Sequence, residues 1–314
     1  MRIGLDAMGG DFAPEATVSG ALLAKEVLPE DVQVVLFGDE AAIIEELSKK
    51  GVAKDTFEII HAPEEIGMGE HPTKAFVNKP KSSLALGFGM LKAGKIDAFA
   101  SNGNTGVMMV GAMFTIKTVT GVIRPTISTH LPRLDGSMGV LLDVGINADC
   151  KPDVLYQFGL IGSLFSQYVY GVEKPKVGLL NIGSEPEKGN LVSQAAHELM
   201  KDNKDYNFIG NIEGNEIFTT KADVIVCDGF TGNIVLKLAE STYGILKERG
   251  IEDDYFERYN YENFGGTPIL GVNSTVMIGH GASTDVAVKN MLVLAKDVTE
   301  ARLAEKLKKS LGND

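Results

Sequence analysis

The sequence predicts an α/β protein: a three-layer α/β/α sandwich around one large mixed sheet. Three observations carry that expectation. Short apolar, partly β-branched runs alternate with stretches of helical period along most of the chain. Polar turns rich in glycine sit at the strand-to-helix joints. An internal repeat is also present: Asp97-Ala-Phe-Ala-Ser101-Asn102-Gly103-Asn104-Thr105-Gly106 aligns without a gap on Asp223 to Gly232, sharing Asp, Gly, Thr and Gly, with Asn102 facing Asp228. Both copies follow an apolar strand and open a helix, so we read them as a duplicated structural unit rather than a chance match of common turn residues.

The second copy organises the chain. Val224 to Cys227 reads as a strand buried on both faces, Asp228 to Asn233 as a turn with two glycines, and apolar residues recur at helical spacing from Ile234. That order aims backbone N–H groups and a helix start at whatever lies above the sheet edge, and the expected guest is an anion.

In chain order, residues 2–6 form a strand ending at Met8-Gly9-Gly10-Asp11, and Pro14 precedes a helix over 15–27. A strand over 32–37, a helix over 40–50 and a strand over 56–61 follow. Residues 62–81 read as loop, with Pro63, Pro72 and Pro80. A helix covers 82–92 and a strand 96–101. The helix expected over 105–119 is apolar nearly all round and should be buried, its methionines serving as core. Strands over 126–131 and 139–143 bracket a turn at Arg133-Leu-Asp-Gly136, which breaks the alternation and calls for an antiparallel pair. Next come a helix over 152–170, a strand over 176–181, a helix ending at Met200 and a short strand over 206–209. Residues 248–263 are polar and acidic, and Gly265-Gly266-Thr-Pro268 follows. A strand over 276–278, a turn at Gly279-His280-Gly281-Ala-Ser283 and a helix over 285–311 complete the chain.

Composition narrows the function. With 314 residues, a formal net charge of −12 and 44% hydrophobic residues, the chain is an ordinary globular protein too acidic for general nucleic-acid binding. Cys150 and Cys227 are far apart, so neither a CxxC site nor a disulfide framework is expected, and Cys227 reads as a small core residue. No apolar run is long enough to span a membrane, and residues 1–6 read as a strand rather than a signal peptide, so a cytoplasmic protein is expected. The sequence holds no GxGxxG, GxxxxGK[ST], HExxH or GxSxG, so a nucleotide cofactor is not expected; the histidines, Asp143 and Asp228 could supply metal ligands in principle, but no ligand spacing supports a metal.

What recurs is Gly-Asn, Asp-Gly, Thr-Gly and Lys-Gly-Asn turns at the carboxyl ends of strands, the edge where open α/β sheets bind ligands. Glycine lets backbone N–H groups approach an oxyanion, Asn and Thr add neutral donors, and Lys188 and Lys237 can neutralise charge. Singly, such residues serve positive φ, helix capping or solvation. Six polar turns on one edge point to a phosphate-like ligand.

Ile3-Gly-Leu-Asp6-Ala-Met-Gly-Gly-Asp11, Ser101-Asn-Gly-Asn-Thr-Gly106, Leu142-Asp-Val-Gly145, Gly178-Leu-Leu-Asn-Ile-Gly183 with Lys188-Gly-Asn190, Cys227-Asp-Gly-Phe-Thr-Gly-Asn233 and Gly265-Gly-Thr-Pro together resemble the bacterial phosphate acyltransferase (PlsX) family, over nearly the whole chain and in the right order. The resemblance implies transfer of a fatty acyl group from acyl carrier protein to inorganic phosphate, giving acyl phosphate for phospholipid synthesis, with no cofactor. It also implies a homodimer and a fold like the isocitrate and isopropylmalate dehydrogenases, with two intertwined halves, about 1–125 plus 275–314 and 126–274. The alternatives are a phosphotransacetylase-like enzyme using acyl-CoA, a metal- and NAD-dependent dehydrogenase of shared fold, and a non-catalytic scaffold for acyl carrier protein.

On this reading phosphate attacks the thioester directly. Asn104, Lys188, Asp228 and His280 are the catalytic candidates, His280 as a proton donor to the leaving thiolate or as a structural residue. Asp6, Asp11, Ser101, Asn102, Gly103, Thr105, Gly106, Asn181, Gly183, Asn190, Gly229, Thr231, Gly232 and Asn233 are the substrate-binding candidates. The two repeated turns are expected to form one anion site. Met108, Met109, Phe114 and Phe230 are candidates for an acyl groove, with core packing the commoner role. Lys74, Lys79, Lys81 and Arg133 are expected to form a basic patch for the acidic carrier. The segment 241–264 is shorter and more acidic than the basic, apolar insertion of many family members, which argues against peripheral membrane contact.

Overall fold

A computed structural model describes residues 1–312 of the chain. The chain divides into two compact units, Met1–Thr118 with Tyr261–Arg302, and Val119–Asn260 with the segment from Leu303.

The first unit contains strands β1 (Arg2–Asp6), β2 (Gln33–Gly38), β3 (Glu58–His61), β4 (Ala98–Ser101), β10 (Thr267–Leu270) and β11 (Thr275–Ile278), in the order β3-β2-β1-β4-β11-β10. All pairs are parallel except β10 with β11. Its helices are α1 (Glu15–Val27), α2 (Glu40–Lys49), α3 (Pro72–Asn78), α4 (Ser83–Lys92), α5 (Thr105–Gly111) and α10 (Asp285–Glu300). Every residue of β4 is buried, as an inner parallel strand covered on both faces requires. The rings of Phe37, Phe88 and Phe99 meet edge-on at 5.6 and 5.3 Å. Two glycines let the helices approach them: a Cβ on Gly87 would lie 2.1 Å from the Phe99 ring, and one on Gly111 2.1 Å from Phe88.

The second unit contains β5 (Thr126–Pro132), β6 (Met138–Leu142), β7 (Lys176–Asn181), β8 (Asn207–Glu213) and β9 (Val224–Val226), in the order β5-β6-β9-β7-β8, with α6 (Pro152–Val169), α7 (Leu191–Lys201), α8 (Gly229–Glu248), α9 (Asp254–Glu257) and α11 (Leu303–Ser310). The expected antiparallel pair is β5 with β6; β6, β9, β7 and β8 run parallel. The protein is thus α/β with mixed β-sheet.

Several expectations are corrected. The stretch 62–81 holds α3, which Pro72 opens at a position where a missing N–H is harmless. The helix from Thr105 becomes a π-helical turn over Ala112–Ile116 and stops at Lys117, whose φ of 67° is left-handed. It is not buried all round, since Met113 and Phe114 are exposed. Gly265-Gly266-Thr-Pro268, given no element by the sequence, leads into β10. Pro268 lies opposite Met277 in a pair of only two registered residues, which limits what the missing N–H costs. The last helix breaks at Arg302, and the short strand expected over 206–209 runs on to Glu213. Helix α8 begins at Gly229, five residues before its apolar period starts, because Asp228 caps it.

The repeat extends beyond the ten residues that reveal it. In one unit Asp97 accepts the Arg2 N–H at 2.6 Å and donates its own N–H to the Arg2 carbonyl at 2.7 Å. In the other, Asp223 accepts the Lys176 N–H at 2.7 Å and donates to the Lys176 carbonyl at 2.8 Å. The neighbouring strands then run in matching register: Ile3, Gly4 and Leu5 lie opposite Ala98, Phe99 and Ala100, while Val177, Gly178 and Leu179 lie opposite Val224, Ile225 and Val226. Arg2-Ile-Gly-Leu and Lys176-Val-Gly-Leu are therefore structural counterparts.

Candidate active site

In the first unit the ends of β1, β4 and β11 bring together Asp6, Asp11, Ser101 to Gly106 and His280. Asp6 is 2% exposed and accepts the Ser101 hydroxyl at 2.6 Å and the Met8 N–H at 3.1 Å. Burial raises its pKa above the ordinary carboxylate value, against the lowering effect of its hydrogen bonds to Ser101, Ser83 and Met8. Ser101 Oγ in turn accepts the Gly103 N–H at 2.9 Å. A Cβ on Gly9 would stand 2.5 Å from Asp6 Oδ2 and 2.8 Å from the Gly103 nitrogen, so only glycine fits over this cluster.

Asn104 caps α5 by accepting the Val107 N–H at 3.2 Å, and its amide donates to the carbonyls of Gly67, Met68 and Glu70 at 3.3, 2.9 and 3.0 Å. Its side chain thus ties the 67–70 loop to the turn. Asn102 is different: it is 1% exposed, yet its Oδ1 has no hydrogen-bond partner in the protein. Thr105 is exposed at the first position of α5, and Gly106 passes Pro72 so closely that a Cβ would approach it to 2.4 Å. Asp11 is exposed, its N–H bonded to the Gly281 carbonyl at 2.8 Å. His280 is exposed, accepts the Ala282 N–H through Nδ1 at 3.3 Å, and stacks against Tyr261 at 5.2 Å. Its neutral form therefore carries the proton on Nε2.

The second unit brings two turns to the ends of β9 and β7. Asp228 accepts the Thr231 N–H at 2.8 Å and the Thr231 hydroxyl at 2.9 Å, capping α8. Asn102 and Asp228 occupy aligned positions, but α8 is capped at Asp228 whereas α5 is capped two residues later in the alignment, at Asn104. Beneath the Asp228 turn lies a residue that reading the turns alone passed over as a site residue. Asp143, fully buried, accepts hydrogen bonds from the Thr126 hydroxyl and the Ile127, Val144 and Asn147 N–H groups, and from the Asn147 amide at 2.9 Å. The Asn147 carbonyl then takes the Gly229 N–H at 2.7 Å. A Cβ on Gly232 would lie 1.9 Å from the Asp143 carbonyl oxygen. The sequence signal for this floor is the polar turn from Asp143 to Asn147, directly after an apolar strand.

At the end of β7, Asn181 donates to the Lys188 carbonyl at 3.1 Å and Asn190 caps α7 by accepting the Ser193 N–H at 2.8 Å. A Cβ on Gly183 would meet the Lys188 side chain at 2.8 Å. Lys188 is exposed and forms no ion pair among the described residues. Asn233 is exposed beside Gly145. No hydrogen bond or ion pair joins the 181–190 loop to the 228–233 turn among the described residues.

Both thiols are poor nucleophiles. Burial pushes Cys150 up to about 12 and Cys227 well above its ordinary value, with Asp143 and Asp228 adding to both. Among the described residues no group of three or more His, Cys, Asp or Glu is arranged to hold a metal ion, and the Asp143 carboxylate is taken up by protein donors.

Of the proposed apolar lining, Met108 is fully buried core while Phe114 and Phe230 are exposed. The expected basic patch is corrected at two members. Arg133 is buried and donates to Asp223 at 2.6 Å, and Lys79 pairs with Glu70 at 2.6 Å, which leaves Lys74 and Lys81 as exposed cations.

A family model described as "Fatty acid synthesis protein" matches residues 1–251. The chain is 40% identical to a phosphate acyltransferase of Salinibacter ruber, over 98% of this chain and 97% of that one. It is 41% identical to a phosphate acyltransferase of Desulforamulus reducens, over 100% and 98% of the two chains. Among solved structures, a phosphotransacetylase from Streptococcus pyogenes superposes with a TM-score of 0.71 at 19% identity, covering 96% of this chain and 94% of that chain, a similarity of fold. The chain belongs to the phosphate acyltransferase family and is an acyltransferase.

Proposed function

We propose that this enzyme transfers a fatty acyl group from acyl carrier protein to inorganic phosphate and releases acyl phosphate for phospholipid synthesis, in the cytoplasm. Its membership of the phosphate acyltransferase family, at 40% identity over 98% of the chain, is the observation that carries the reading. The glycine-rich turns at Ser101–Gly106 and Asp228–Asn233 are consistent with it, because both present helix starts and neutral donors suited to a phosphate.

A phosphate oxygen attacks the thioester carbonyl carbon, the C–O bond forms, and the tetrahedral intermediate collapses by breaking C–S. The thiolate leaves and takes a proton, for which His280 Nε2 is the proposed donor. No protein nucleophile is required, in keeping with two thiols held in the protonated form. Asn104 serves through its backbone, since its side chain is engaged. Asp228 holds Thr231 and the first turn of α8, and unpaired Lys188 offers charge to the anion.

We further assign the enzyme to a homodimer and to the two-halved fold of the isocitrate and isopropylmalate dehydrogenases. Helix α8 supports the dimer. Of its 20 residues only Gly229 and Gly232 are buried, and Phe230, Ile234, Leu238 and Ile245 form one exposed apolar stripe.

The test is phosphate-dependent loss of the thioester from acyl carrier protein, with the acyl phosphate trapped by hydroxylamine. Turnover of acyl-CoA alone would move the enzyme to the phosphotransacetylase reaction. Carrier binding without phosphate-dependent turnover would reduce it to a scaffold.

A further inference from the structure

The buried pair Asp6–Ser101 is chemically costly, and the matched strands of the second unit do without it. Asp6 is taken out of water at the end of β1, where burial alone disfavours its charged form. The matching registers of the two units identify what stands in the same places elsewhere in the chain. Leu180 follows Leu179 as Asp6 follows Leu5, and Cys227 aligns with Ser101. At equivalent positions of equivalent strands, the second unit therefore carries an apolar side chain and a buried thiol. A polar pair kept at one of two matched positions serves something other than the shared architecture.

We infer that Asp6 is a positioning residue acting through Ser101 to hold the 101–104 turn in the shape that receives phosphate; this rests on the reading of that turn given under Proposed function. The path is short. Asp6 Oδ2 accepts the Ser101 hydroxyl at 2.6 Å, which orients the lone pairs of Ser101 Oγ toward the Gly103 N–H at 2.9 Å. With that N–H fixed, Gly103 is held two residues before α5 starts at Thr105. In the second unit the aligned Gly229 N–H goes instead to the Asn147 carbonyl at 2.7 Å, and helix α8 begins at that residue. The Ser101 anchor accompanies a helix start two residues later, at Thr105, which leaves Asn102 and Gly103 outside α5. Asn102 is left 1% exposed, its Oδ1 packed against Gly279, where a Cβ would stand 1.7 Å away. Asp6 itself is too enclosed to touch substrate, with Gly9 closing over it.

The test is a double-mutant cycle on Asp6→Asn and Ser101→Ala, read as separate kinetic constants for phosphate and for the thioester. Each single variant should lower kcat/KM for phosphate on the order of 10- to 100-fold, the scale of a misplaced reacting group, while KM for the thioester stays unchanged. The double variant should be no worse than Ser101→Ala, because the two side chains act in series. Asp6→Leu with Ser101→Cys, which installs the pair of the second unit, should keep the circular dichroism spectrum and lose the phosphate term. Additive losses, or equal losses toward both substrates, would overturn the inference; so would wild-type kinetics in the Leu–Cys variant. A wild-type enzyme without phosphate-dependent turnover would instead overturn the functional reading beneath it.

Discussion

Two glycines on helix α8 should respond to the same substitution with opposite signs. Gly232 lies in the first turn, against the backbone at the end of β6. An alanine Cβ there would sit 1.9 Å from the Asp143 carbonyl oxygen and 3.0 Å from Cys227 Sγ. One side must move by roughly 1 Å to restore van der Waals contact, and overpacking of this kind costs about 1–3 kcal/mol. The backbone cannot yield easily, because the Asp143 carboxylate is clamped by Thr126, Ile127, Val144 and Asn147. Moving the helix instead loosens the Gly229 N–H bond to Asn147, worth about 1 kcal/mol. Against this stands the gain of about 1 kcal/mol for alanine over glycine in a helix. The net expectation for Gly232→Ala is a loss of about 2 kcal/mol, with a raised KM for phosphate. Gly244, on the same helix, has nothing within 4 Å of its Cβ position. Gly244→Ala should therefore stabilise by about 0.5–1 kcal/mol. Urea denaturation followed by circular dichroism compares the two midpoints directly. If Gly232→Ala unfolds at or above the midpoint of Gly244→Ala, the close approach of α8 to Asp143 is wrong.

Arg133→Met should destabilise by about 3–5 kcal/mol, since it removes the cation beside the buried Asp223 carboxylate, and Arg133→Met with Asp223→Asn, which removes the charge but keeps an acceptor for the Lys176 N–H, should recover part of the loss in the same denaturation experiment. Asp6 has a pKa raised by burial, so above the ordinary carboxylate range the unfolded chain releases a proton that the folded chain retains, and stability falls as pH rises toward the folded value. Asp6→Asn should remove that slope, so the gap in midpoint between variant and wild type should shift in the variant's favour from pH 4 upward; a constant gap would refute it. If α8 forms the proposed homodimer interface, wild type should sediment as a dimer and Leu238→Glu, in the middle of the exposed stripe, as a monomer; equal masses for the two would refute that interface. Glu248 ends that helix and Glu252, Asp253, Asp254 and Glu257 follow it, so the purified protein should not float with anionic vesicles, where each lysine in their place would gain about 1 kcal/mol.

The succession of strands and helices was legible because apolar period and capping residues are local properties. Glu15, Glu40 and Pro152 open helices where the pattern places them, and β1 and β7 end where the apolar runs end. The glycine-rich turns at the strand ends were legible for the same reason: glycine next to Asn, Asp and Thr is visible in any ten-residue window. What a window cannot show is the partner of each side chain. Arg133 reads as a surface cation but finds Asp223, 90 positions away, and so becomes a buried ion pair. Asn104 reads as a phosphate donor, yet its amide is spent on carbonyls 34 to 37 residues earlier in the chain. Even the repeat was only half visible. Arg2-Ile-Gly-Leu and Lys176-Val-Gly-Leu become counterparts only once strand register sets each beside its copy of the turn. Only tertiary structure, by bringing Ser101 to a carboxylate 95 residues distant, decided that one copy of the turn rests on Asp6 where the other has Leu180. Local pattern determines which residues share a strand or a turn; hydrogen-bond partners and burial are set by chain segments that meet only when the sheets assemble.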